Sequence, residues 1–293
     1  MKPQYILLTA PSTTDNLETT CSLAQAHFPG QVVTVSNQRG SNANAEPDTH
    51  RFTPARFEES YRKLSCTSGR AILCIAPSGF DALCEFARET PGTLGDLHSV
   101  IITLTPREES QRGAITQIAK LTEAGMMPGQ LRILRTGVPA MKLVKSGQES
   151  TRWFETLDTY LVQNPQFINC NPNAVIQEST VLTALERAHI ACGDAMRESV
   201  NYETLLAEAH SRGADEGELA GLVDRMVLQR RFQALKPALT QALGMVLPQA
   251  IPSVASHEQA GEERAAKPAA SEVAPESTSA GHIADEPLGF KPV

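Results

Sequence analysis

QYILLTAPSTTDNLETTCSLAQAH, Gln4 to His27, reads in order as an apolar strand, a polar turn and an amphipathic helix. Tyr5-Ile6-Leu7-Leu8 is a short apolar run suited to a buried strand. Pro11 to Asn16 supplies turn residues, and Leu17, Cys21 and Ala24 recur at helical spacing. This is the setting of a phosphate-binding loop, where glycines bare backbone N–H groups and a lysine before Ser/Thr meets the β- and γ-phosphates. Here the glycine positions carry Thr14 and Leu17 and the lysine position carries Glu18. Thr19, followed by Thr20, stands where a hydroxyl would hold Mg²⁺. The setting of a nucleotide site is present without its phosphate-binding residues.

Helix N-termini attract phosphate through unpaired N–H groups and partial positive charge. Asp15 and Glu18, three residues apart, predict an acidic capping box that fills those same groups with carboxylates.

Outward from this stretch, short β-branched runs alternate with amphipathic segments, the pattern of parallel β-α-β units. Strands are expected at Tyr5–Leu8, Gln31–Val35, Ala71–Ile75, Val100–Leu104 and Leu131–Leu134. Helices are expected at Arg56–Leu64, Phe80–Arg88 and Ser110–Ala124, each with an apolar face. The expected fold is an α/β, doubly wound, mainly parallel sheet, whose ligands bind beyond the carboxyl ends of the strands. From about residue 150 the pattern turns helical. Trp153, Phe154, Leu157, Tyr160 and Leu161 share one helix, and Val181, Leu182, Leu185 and Ala188 share another, capped by Ser179 or Thr180. Leu205, Leu206 and Ala209, then Leu219, Leu222, Val223 and Met226, continue the pattern, and Ala174–Gln177 is a candidate further strand. Asn37–Asp48 is a long polar loop at a strand end, suited to partner contact or to a surface insertion. The domain is expected over 1–247, with a disordered Pro/Ala/Ser/Glu-rich tail over 248–293.

Composition narrows the chemistry. The six cysteines form no CxxC pair and the seven histidines no ligand spacing, so neither a disulfide scaffold nor a metal site is expected. Net charge is −7, with seven acids against three bases in the tail, so nucleic acid would have to be held by a local patch. No apolar run approaches the ~18 residues of a membrane span and the start lacks a signal-peptide pattern, so a cytoplasmic location is expected. No Gly-x-Gly-x-x-Gly follows a strand, against a dinucleotide cofactor. Pro77-Ser78-Gly79 lacks the flanks of a nucleophile elbow, leaving Ser78 as a helix cap. No residue is assigned a catalytic role.

Ser99-Val-Ile-Ile-Thr-Leu-Thr-Pro106, followed by Gln111, Ile115, Ile118, Leu121, Gly125 and Leu131-Arg-Ile-Leu134, resembles the plasmid-stability StbB-like proteins, a divergent branch of the ParA/MinD-type deviant P-loop ATPases. Asn173–Glu178, Asn201–Leu206 and Met226–Arg230 are similar to that family's C-terminal half, so the resemblance runs from Tyr5 to about Leu247. It implies a P-loop NTPase-like fold and a role in plasmid partition or conjugative transfer beside a plasmid-encoded, DNA-binding partner protein. Three departures fall at the family's functional positions: the loop at Thr14, Leu17 and Glu18; Cys74 where a Walker B Asp would stand near Mg²⁺; and Thr136, in a Thr136-Gly-Val138 segment after the strand, where an Asn would contact the base. The expectation is a pseudo-ATPase with no cofactor; the alternative is an atypical ATPase using Mg-ATP. The family's use of C-terminal basic surface directs attention to Arg225, Arg230, Arg231 and Lys236, near a helix end, for weak non-specific DNA contact; helix-end charges on a solvated face explain the same residues. Deleting Pro248–Val293 is expected to leave folding intact, with coincident thermal melts of full-length and truncated protein; a loss of several degrees would place the tail against the body.

Overall fold

A computed structural model describes residues 3–37, 49–139 and 153–248. Its elements run β1 (Gln4–Thr9), α1 (Leu17–His27), β2 (Gln31–Val35), β3 (Thr49–Phe52), α2 (Phe57–Ser65), β4 (Arg70–Ile75), α3 (Phe80–Glu89), β5 (Ser99–Leu104), α4 (Glu108–Glu123) and β6 (Leu131–Val138). Then follow α5 (Glu155–Gln163), β7 (Val175–Gln177), α6 (Thr180–Arg187), α7 (Cys192–Arg197), α8 (Tyr202–Ser211) and α9 (Glu216–Gly244). Strands pair in the order β3-β2-β4-β1-β5-β6-β7, every pairing parallel. The doubly wound parallel sheet expected from the alternating pattern is present, with a helical C-terminal part.

Alternation along each strand divides the core. Tyr5 and Leu7 of β1, Leu73 and Ile75 of β4 and Ile102 of β5 face α2, α3, α4 and α5. Ile6, Leu8, Ile72, Cys74 and Ile101 face α1, α6, α7 and α9. Both faces are covered, so the central strands β1, β4 and β5 are apolar at nearly every position rather than at alternate ones. The helix after β1 and the helices after its neighbours β4 and β5 pack on opposite faces, which makes the carboxyl end of β1 a switch point where such sheets bind ligands.

Several expectations change. β3 was not expected from THRF, which has only Phe52 to suggest a strand; it is an edge strand, half-buried and paired to β2 alone. The Ala174–Gln177 candidate is β7. Ser78 caps no helix: it lies in a short 3₁₀ turn and its Oγ accepts the Asn37 N–H at 3.2 Å. Residues 38–48 of the polar loop and 249–293 of the tail lie outside the described residues. The apolar stripe of α8 and α9 forms the expected helices but is only partly covered, with Leu205, Val223 and Val227 each about two-fifths exposed. Among the described residues no helix is long and apolar enough to cross a membrane.

Arg135 of β6 is the largest fully buried side chain. Its guanidinium lies over the Phe154 ring, 4.9 Å from the centroid, and pairs with both carboxylate oxygens of Asp158 on α5. Asp158→Ala would leave that charge buried and unpaired, and such losses cost about 3 kcal/mol or more; urea unfolding should show the drop.

Candidate functional site

The turn between β1 and α1 is built around Asp15, which has no solvent exposure. Its Oδ2 accepts the Ser12 N–H at 2.9 Å and its Oδ1 accepts the Thr105 hydroxyl at 2.7 Å, fastening the turn to the end of β5. Helix α4 closes over it: Gln117 donates to the Ala10 carbonyl at 3.0 Å. Gly113 leaves the space that Pro11 fills, where an added Cβ would come within 2.8 Å of the proline Cβ. Asn16 then starts α1 at φ 55°, ψ 33°, a left-handed conformation that asparagine tolerates better than most residues.

The acidic capping box is therefore corrected. Asp15 points inward rather than onto the helix, and α1 has no side-chain cap. Both Asp15 oxygens are taken, by the Ser12 N–H and the Thr105 hydroxyl, so neither caps the first helical turn. Among the described residues the N–H groups of Leu17, Glu18 and Thr19 have no protein partner.

The residues singled out in sequence separate into groups. Thr14 is exposed on the turn and holds the Ser12 hydroxyl at 3.0 Å and Arg107 Nη1 at 3.1 Å. Leu17 drops into the core, and Glu18 projects into solvent. Thr20 is buried with its hydroxyl 3.4 Å from that of Thr103. Cys74 is buried on β4 against Cys21 of α1; the hydrogen bond between the two thiols, and then burial, push the Cys74 thiol well above its ordinary range. Thr136 lies within β6 rather than after it, and donates to the Leu104 carbonyl at 3.2 Å. The strand runs on through a register shift between Arg135 and Val138, where Gly137 takes φ 66° and Thr136 lies in the bulge between paired residues.

A cavity of about 520 Å³ joins Thr19 and Thr20 of α1 to Thr136 and Gly137 of β6. Its other walls come from the end of β7 and from α6, including Gln177, Glu178, Thr183 and Glu186, over the apolar side chains of Leu23, Ile176 and Leu182. Three of the seven marked loop, strand and base positions thus meet here, while Thr14, Leu17, Glu18 and Cys74 lie outside its lining. Most of its hydroxyls are already engaged. Ser179 caps α6 by accepting the Val181 N–H, Thr183 donates to the Ser179 carbonyl, and Thr180 accepts from Arg231. Sequence reading missed Asn16, Glu178, Glu186 and the Asp15 partner Thr105; only the strand-end position of Thr105 and Glu178 could have flagged them.

The four basic residues are not at a helix end. Arg225, Arg230, Arg231 and Lys236 occupy the middle of the 29-residue α9, so helix-end charge does not account for them. At about 100° per residue, Arg230 and Arg231 point away from the side shared by Arg225 and Lys236. Arg230 pairs with Glu203 and Lys236 donates to the Met196 carbonyl at 2.8 Å.

No family model matches the chain, and no curated protein matches it. Among solved structures it is similar to the MinC:MinD cell division protein complex of Aquifex aeolicus, at 9% identity and TM-score 0.44, covering 85% of this chain and 97% of that one. It is also similar to an ATP complex of Cyanothece McdA, at 12% identity and TM-score 0.44, covering 81% and 96%. A ParA family ATPase of Chlorobium tepidum TLS matches at 11% identity and TM-score 0.34, covering 53% and 80%. The doubly wound architecture stands on the strand order of the sheet itself. Asp15→Ala would strand the Ser12 N–H and the Thr105 hydroxyl and should cost about 2–3 kcal/mol in denaturant unfolding; Asp15→Asn, which keeps an acceptor, should cost less.

Proposed function

We propose that the chain is a non-hydrolysing scaffold of ParA/MinD type, acting in plasmid maintenance or conjugative transfer beside a DNA-bound, plasmid-encoded partner protein. The biological setting draws on the resemblance of the β5 to β6 region and the C-terminal segments to StbB-like proteins. The non-catalytic part is carried by one observation: the turn that would cradle phosphate has the Asp15 carboxylate at its centre, already holding the Ser12 N–H. Bringing a phosphate charge to about 4 Å of a carboxylate costs on the order of 4 kcal/mol at an effective dielectric of 20. Glu18, where a lysine would neutralise that charge, adds to the repulsion. No nucleotide cofactor enters this reading.

A second reading, an atypical ATPase using Mg-ATP, has its own support in the unpaired N–H groups of Leu17, Glu18 and Thr19 and in Arg107 beside Thr14. An exposed cation of this kind contributes about 1 kcal/mol or less, which does not offset the carboxylate. DNA association, where it occurs, is weak and salt-sensitive, because cations spread around α9 make few simultaneous phosphate contacts.

Titration calorimetry with Mg-ATP should show no appreciable binding. Micromolar affinity lost in Thr19→Ala or Arg107→Ala would overturn the scaffold reading in favour of the ATPase. Charge reversal at Arg225, Arg230, Arg231 and Lys236 should weaken DNA retention at low salt; unchanged retention would move the proposed DNA contact elsewhere.

A further inference from the structure

The cavity beside α1 has a chemistry of its own. Of its polar lining, the side chains of Thr20, Thr136, Ser179, Thr180 and Thr183 are engaged within the protein. The side chains left without a hydrogen-bond partner among the described residues are those of Asn16, Thr19, Gln177, Glu178 and Glu186. Both charged groups in the described lining are carboxylates, and no Lys or Arg is in it. Leu182 and Glu186, one turn apart on α6, present apolar and acidic groups to the same space, with the nearly buried Ile176 beside them and Leu23 packed beneath. The volume, about 520 Å³, is that of a small-molecule site.

We propose that this cavity binds a small aliphatic organic cation, a polyamine or comparable amine, with its ammonium groups at Glu178 and Glu186 and its methylenes over Leu182 and the edge of Ile176. The acceptor-rich lining matches a ligand made of donors, and the apolar floor matches a hydrocarbon body. Anionic ligands meet two carboxylates with no described cation in the lining to offset them. The inference deepens the site reading above, and rests on it in taking the cavity as a place where phosphate is not held.

The test is calorimetric titration of the full-length protein with spermidine at about 0.15 M salt, where general surface attraction is largely screened. The expected result is one saturable site, weakened about tenfold or more in Glu178→Gln/Glu186→Gln and unchanged in Glu208→Gln/Glu216→Gln, which removes the same charge elsewhere. Both glutamates of the cavity are exposed, so thermal melts of the variants should match the parent and keep the comparison valid. Absence of saturable binding overturns the proposal, as does equal weakening in the two double variants, which would mark diffuse attraction to an acidic protein. Mg-ATP titrated separately keeps the two readings apart: its binding would sink the scaffold reading, while spermidine and the paired variants decide this one.

Discussion

A single carboxylate organises the carboxyl end of the sheet. Asp15 bridges the Ser12 N–H and the Thr105 hydroxyl, so the turn after β1 is fastened to the end of β5 through a buried carboxylate, where a charged acceptor forms strong hydrogen bonds and leaves a costly vacancy if removed. From that anchor follow the left-handed Asn16, the start of α1 and the open first turn of that helix. On the proposed reading, the same carboxylate that gives the turn its shape sets a negative charge against phosphate there.

The cavity arises from how the two faces of the sheet are filled. α1 covers β1 and β4, α7 packs on α1, α6 packs on α7 and α9, and α9 reaches α1 and β7. Between α1, α6 and the ends of β6 and β7, space remains, lined by strand-end residues and helix hydroxyls. Close contacts hold its walls in place: Gly193 of α7 lies against the Ser22 carbonyl of α1, where an added Cβ would come within 2.6 Å, and its N–H donates to the Ser22 hydroxyl at 2.8 Å. A side chain at that position would push α7 away from α1.

On the opposite face, Gln111 of α4 joins three segments. It donates to the Pro106 and Trp153 carbonyls and accepts the Leu157 N–H, tying the loop after β5 to the start of α5. Beside it the buried Arg135 and Asp158 pair fixes α5 against β6. Polar groups thus set the positions of elements that apolar packing alone would leave free to slide.

Residue pattern alone specifies the sheet. Continuous apolar strands between amphipathic helices have one ready solution, both faces covered and every strand parallel, and the five strongest strands and most helices were legible for that reason. Residue type, visible without coordinates, also shows that Thr14, Leu17, Glu18 and Cys74 do not supply glycine, lysine or Asp. What those positions do instead is a matter of three-dimensional packing. That Asp15 turns inward to Thr105, ninety residues away, that Thr136 sits within β6, and that Arg230 meets Glu203 depend on contacts between segments distant in the chain. Spacing reports which residues share a helix face or a strand; it carries no information on which buried hydroxyl will answer a carboxylate across the sheet.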